Sequence, residues 1–281
     1  MRPLFRTLIC VLVICLCAPL WAHADQNTYE GPGWDTPEEA VLYYLEGLKE
    51  QDIGKMIGAY AVETYIDHYD LGAVLARLHG YTPGLVPRLP NTSDLLRALN
   101  IEARKNEIVY GIFSQMISIC LPEQDFFHMA PFAQENIDEE VEAFVGGLEE
   151  AFGAVDFSTL KVLRFNPPEA ISELYTSETN QENIKRQIAP TGADEGRSVV
   201  AVFTVGDSVC VLACDVMRYG DRWYMYRVPG NIALLVRFSA SGGGVVAVPI
   251  QELLALRDEL GAGAMAGLDT FIMDILDLLE E

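Results

Sequence analysis

Basic residues are scarce in this chain. Lysine and arginine together number 19 against 41 aspartates and glutamates, for a formal net charge of -22. Proteins bind nucleic acid by replacing condensed counterions with lysine and arginine, so no nucleic-acid partner is expected. Adsorption to an anionic lipid surface is disfavoured for the same reason. Histidine is scarcer still, with four in the whole chain. Six cysteines are present, but none forms a Cys-x-x-Cys pair or a Cys/His zinc spacing. Ser208 has Gly206 two positions before it but Cys210 where a nucleophile elbow needs its second glycine. Gly261-Ala262-Gly263 to Gly267 has the wrong spacing for a dinucleotide loop, and no strand precedes it. No cofactor and no metal site is therefore expected. Internal repeats and low-complexity tracts are also missing.

Long apolar runs are confined to the beginning. Arg2 and Arg6 precede an almost unbroken apolar stretch from Leu8 to Trp21, and Ala22-His23-Ala24 supplies the small-x-small pattern of a cleavage site. Residues 1–24 read as a secretory signal peptide cleaved after Ala24, which predicts a secreted or extracytoplasmic protein. The alternative is an N-terminal membrane anchor, although a span needs ~20 apolar residues. No second span follows, so no stable membrane insertion is expected after cleavage. Cys10, Cys15 and Cys17 leave with the leader, and Cys120, Cys210 and Cys214 remain. Cys210 and Cys214 fall in one strand, ~13 Å apart at ~3.3 Å per residue, which is too far to bridge. Either Cys120 pairs with one of them or all three are buried thiols.

The rest of the chain divides by pattern. After a lead-in at 25–35, Thr36-Pro37-Glu38-Glu39 carries a capping box with proline at the first helical position. Val41, Tyr44, Leu45 and Leu48 follow at helical spacing. Asp52 to Tyr60 predicts a second, shorter helix. Ser93 or Asp94 opens a long helix to Cys120, and another covers Asn136 to Phe152, with a charged run at Asp138–Glu142. Asn91-Thr92-Ser93 is both a glycosylation sequon and a cap for the long helix. The pattern then turns to strands, beginning at Leu160 to Phe165. Glu178 to Ile188 reads as helical. Val199–Val205, Ser208–Met217 and Arg222–Val228 are β-branched and aromatic runs separated by Gly206-Asp207 and Gly220-Asp221, the signature of two-residue hairpins. A fourth strand is expected at Leu234–Phe238. Residues 239–244 form a Gly/Ser linker, and residues 245–281 a C-terminal helical segment.

Two phrases carry a resemblance. Thr36-Pro37-Glu38-Glu39-Ala40-Val41 through Asp52-Ile53 is similar to the opening helices of the NTF2-like (cystatin-like cone) superfamily, as found in secreted bacterial members. Asp215-Val216-Met217-Arg218-Tyr219-Gly220-Asp221-Arg222-Trp223-Tyr224 resembles that family's last hairpin. The resemblance implies an α+β fold, with a curved antiparallel sheet packed on N-terminal helices over 36–238. Residues 71–152 would be a helical insertion. It also implies a pocket between sheet and helix, near which Tyr44, Tyr60, Trp223 and Tyr226 would lie; the ordinary reading of these four is an aromatic core.

Catalytic groups are few. Asp215 lies within an apolar strand, where a carboxylate needs a partner or acts as an acid or base. Arg218 and Arg227 on neighbouring strands are its candidate partners. Asp67-His68-Tyr69-Asp70 sets a histidine between carboxylates without further ligands at a recognisable spacing. His79 and His128 have no such neighbours. These observations favour a secreted, non-enzymatic binding or accessory protein for a small ligand or a protein partner. An isomerase or cyclase using Asp215 is the alternative, and a structural protein that oligomerises through its sheet or terminal helix is the third.

Overall fold

Thr36 starts the first helix, α1 (Pro37–Glu50), through the expected capping box. Its Oγ1 accepts from the Glu39 N–H, and the Glu39 carboxylate accepts from the Thr36 N–H. The computed structural model describes residues 28–78, 88–121, 136–166, 178–227 and 245–260, with positions 275, 277 and 279 singly. The leader expected at 1–24, His79, His128, the strand expected at Leu234–Phe238 and the linker expected at 239–244 lie outside the described residues.

Short helices α2 (Ile53–Gly58), α3 (Glu63–His68) and α4 (Leu71–Leu78) follow α1, and α5 (Asp94–Cys120) is the long helix. Asp52 caps α2 and Ser93 caps α5, each accepting a backbone N–H from three residues on. Then come α6 (Ile137–Ala154), strand β1 (Lys161–Asn166), α7 (Glu178–Ile188), β2 (Glu195–Val205), β3 (Ser208–Tyr219), β4 (Arg222–Arg227), β5 (Val245–Pro249) and α8 (Ile250–Leu260).

The class is α+β. The antiparallel sheet runs β1-β2-β3-β4, and β5 also pairs with β3. Both hairpins form at the predicted dipeptides, with Gly206 and Gly220 at positive φ. Residues 245–249 correct the expectation of a helical segment there. β3 has twelve residues and β4 only six, so β4 covers Asp215–Tyr219 and leaves the Ser208–Leu212 edge open. The valine-rich run Val245–Val248 fills that edge, because unpaired strand groups need partners and β-branched residues suit the pleat. The helix α8 begins only after Pro249.

The free edge of β4 is closed by chain from far upstream. Trp34 exchanges two backbone hydrogen bonds with Trp223, and Ala59 and Ala61 bracket Met225. Alternation along β2 and β3 puts Val199, Ala201, Phe203, Cys210, Leu212 and Cys214 on one face, joined with Tyr44, Leu45 and Leu48 of α1 in the core. Ile101, Ile108, Ile112 and Ile119 of α5 enter the same core. The other face carries Val200, Val202, Val209, Val211 and Ala213, which are also buried. A sheet buried on both sides explains the continuous apolar runs in its strands. At one end of this second face α7 sits on Gly196, where a Cβ would come within 2.8 Å of Ile188 Cγ2. The three described cysteines are buried free thiols, so no bridge joins Cys120 to Cys210 or Cys214.

Candidate functional site

The four aromatic candidates are divided between different surroundings. Tyr44 on α1 and Tyr60 after α2 meet edge to face, their ring centroids 5.9 Å apart, in the core beside Cys214. The Tyr44 hydroxyl donates to Gln115 Oε1 of α5 at 2.5 Å. Burial pushes both hydroxyls above their ordinary range. Trp223 keeps other company, with the Arg197 and Arg218 guanidiniums 5.2 and 5.8 Å from its ring.

Asp215 faces away from Tyr44 and Tyr60. It follows Cys214 directly, and successive strand residues point to opposite sides. Its Oδ1 accepts from Ser198 Oγ at 2.8 Å and its Oδ2 from Arg227 Nε at 2.9 Å. Arg227 also donates to Gln187 of α7, so the carboxylate helps fasten that helix. Arg218 pairs with Glu195 rather than with Asp215.

The Asp67–Asp70 quartet is likewise committed. Asp67 accepts two hydrogen bonds from Arg97, and Asp70 Oδ1 accepts from the Ala73 N–H at the start of α4. His68 Nδ1 lies 2.8 Å from the Thr64 carbonyl oxygen, and its ring is 5.1 Å from Tyr219. Among the described residues, no group of three or more His, Cys, Asp or Glu is placed to hold a metal ion.

Tyr226 belongs to a different cluster, built from a sheet irregularity. Asp215 pairs with Arg227 and Val216 with Met225, so Tyr226 is an extra residue in β4. A bulge withdraws its residue from the ladder. The freed Tyr226 carbonyl accepts from Arg104 Nη2 of α5 at 2.6 Å. Arg104 is 6% exposed. Its guanidinium lies 4.6 Å from the Tyr65 ring and 5.5 Å from the Tyr226 ring, and those two rings stack at 6.1 Å. The Arg88 guanidinium, 3% exposed, lies 5.5 Å from the same Tyr65 ring.

Glu107, one turn beyond Arg104, serves both arginines. It accepts from Arg88 Nη1 at 2.8 Å and Nη2 at 2.5 Å, and from Arg104 Nη1 at 3.3 Å. Two buried guanidiniums thus share this carboxylate, and among the described residues the Arg104 Nε has no hydrogen-bond partner. A buried donor left unpaired costs about 1–3 kcal/mol. Tyr65 and Tyr69 pack at 5.6 Å beside the pair. Burial lifts the Tyr65 hydroxyl to about 12, although the nearby guanidiniums pull it down.

The sequence reading found Tyr226 but missed Arg88, Arg104 and Tyr65. The available signal was Arg104 and Asn100 on the apolar side of the long helix, in line with Ile101 and Ile108, where polar groups demand partners.

No known family pattern matches the chain, and no curated protein sequence does. Among solved structures, a cystatin-like protein from Ruminococcus gnavus is similar to it at a TM-score of 0.40 and 16% identity, over 67% of this chain. The match spans 39% of that neighbour's length.

Proposed function

We propose that this chain is a non-catalytic extracytoplasmic binding or accessory protein that receives an anionic group at the Arg88–Arg104 corner. The unpartnered Nε of the buried Arg104 carries this reading. A guanidinium presents a fork of donors that suits a carboxylate or phosphate. The Arg104 guanidinium is 6% exposed and meets Glu107 only at 3.3 Å among the described residues, and in such a low-dielectric place an added anion is attracted more strongly than in water. The chain as a whole repels anions at a net charge of -22, so their capture calls for a local site of this kind. Tyr69 and Tyr226, both partly buried, add aromatic surface for the rest of a ligand.

Other groups support a role without chemistry. Both Asp215 oxygens are occupied by Ser198 and Arg227. Burial drives the Cys120 thiol up to about 11 and the Cys210 and Cys214 thiols upward as well, away from thiolate reactivity. The helix-first order, with an antiparallel sheet packed on α1, is in keeping with the NTF2-like resemblance, and the leader with export.

Isothermal titration of the protein with benzoate and with inorganic phosphate tests the proposal. Saturable binding of at least one probe is expected, weakened at least about tenfold in Arg104→Met and less in Arg104→Lys. The methionine keeps the apolar stem packed, and near-ultraviolet circular dichroism checks that the fold persists. Absence of binding in the parent protein, or binding unchanged in Arg104→Met, overturns the proposal.

A further inference from the structure

Helix α6 is an eighteen-residue helix in which no residue is fully buried. A helix of a globular protein ordinarily hides an apolar stripe against a neighbour. The carboxy-terminal half partly does so, through Leu148, Ala151 and Phe152 against the core. The amino-terminal half presents Ile137, Val141 and Val145 in one i, i+4, i+8 row, exposed by 46%, 39% and 45%. The only charged residues of the helix are Asp138, Glu139, Glu140, Glu142, Glu149 and Glu150.

We infer that the amino-terminal half of α6 is a docking surface for a basic amphipathic helix of a partner protein. The row repeats every fourth residue, the spacing at which one helix lays its anchors along another. Asp138 and Glu142, each one position after a residue of the row, ask for lysine and arginine on the incoming helix, which would steer the encounter and set its register. A second copy of this chain is a poor occupant. It would set acidic helix against acidic helix between molecules that each carry -22, and like charges across an interface are costly. An uncharged partner would desolvate the carboxylates without compensation. This surface is independent of the arginine corner, and its test does not involve that corner.

The probe is a fluorescently labelled peptide of about 18 leucine and lysine residues with leucines at helical period, compared with the same composition in scrambled order. Anisotropy is followed as full-length protein is added. The helical-period peptide is expected to bind with a Kd of about micromolar order, and the scrambled one at least about tenfold more weakly. Val141→Asp combined with Val145→Asp should weaken the first peptide at least about tenfold, with far-ultraviolet circular dichroism unchanged. No binding, equal binding of the two peptides, or indifference to the double substitution each overturns the inference. So does light scattering that shows a dimer dissolved by the same substitutions, because the occupant would then be a second copy.

Discussion

Gln115 shows what one polar side chain means inside this core. It is 2% exposed. Its Oε1 accepts from the Tyr44 hydroxyl, while its Nε2 makes no well-aligned hydrogen bond. Tyr44→Phe strands the acceptor, and Gln115→Leu strands the hydroxyl, so each should cost about 1–3 kcal/mol in urea unfolding. The double variant should cost clearly less than the two together, because it removes donor and acceptor at once. Simple additivity would mean that the pair is not coupled. Gln115 occupies an apolar row of a legible helix, yet its partner lies 71 residues away. No spacing rule links it to Tyr44. The same holds for Arg104, whose partner is a carbonyl exposed by a bulge 122 residues later.

Glycines separate the elements that carry their own weight from those held by neighbours. Gly146 and Gly147 lie in a helix with open space around them, whereas Gly196 lies under α7. Alanine at 146 or 147 should raise the unfolding free energy by about 0.5–1 kcal/mol, because helical glycine costs backbone entropy and nothing clashes. Alanine at 196 should lower it by about 1–3 kcal/mol, because the added methyl forces Ile188, and with it α7, to shift. Thermal unfolding of the three variants checks the pair of signs; a stabilised Gly196→Ala would mean that α7 is not seated where described. Helices, caps and hairpins were readable because their signals are local: Thr36 and Glu39, Asp52, Ser93, and the Gly-Asp pairs at 206 and 220. The strand at 245–249 was not. Its conformation is decided by the vacant half of β3, which lies more than thirty positions upstream.

Across the whole molecule, the tyrosines set the alkaline limit. Burial raises Tyr65 and Tyr224 to about 12, and Tyr44, Tyr60 and Tyr219 are also raised. In the unfolded chain these hydroxyls lose protons near their ordinary value of 10.0. The folded state then holds more protons than the unfolded one, so stability is full below about pH 10 and falls as pH rises from there. The urea midpoint should therefore drop between about pH 10 and about pH 12, ahead of the native tyrosinate absorbance. A flat midpoint over that interval would contradict the burial of these hydroxyls.

Composition and local pattern were enough to determine the excess of negative charge, the caps, the order of helices before sheet, the two hairpins and hence the α+β class. Each of these depends on residues within a few positions of one another, or on simple totals. Tertiary structure alone decided that β3 takes two partners on one edge, that Trp34 closes the edge of β4, and that Asp215 is spent on Ser198 and Arg227. It alone decided that Arg88, Arg104 and Glu107 meet around Tyr65 and Tyr226. Those outcomes depend on long-range pairing and on where a bulge turns a carbonyl out of its ladder, and no residue announces either in its own neighbourhood.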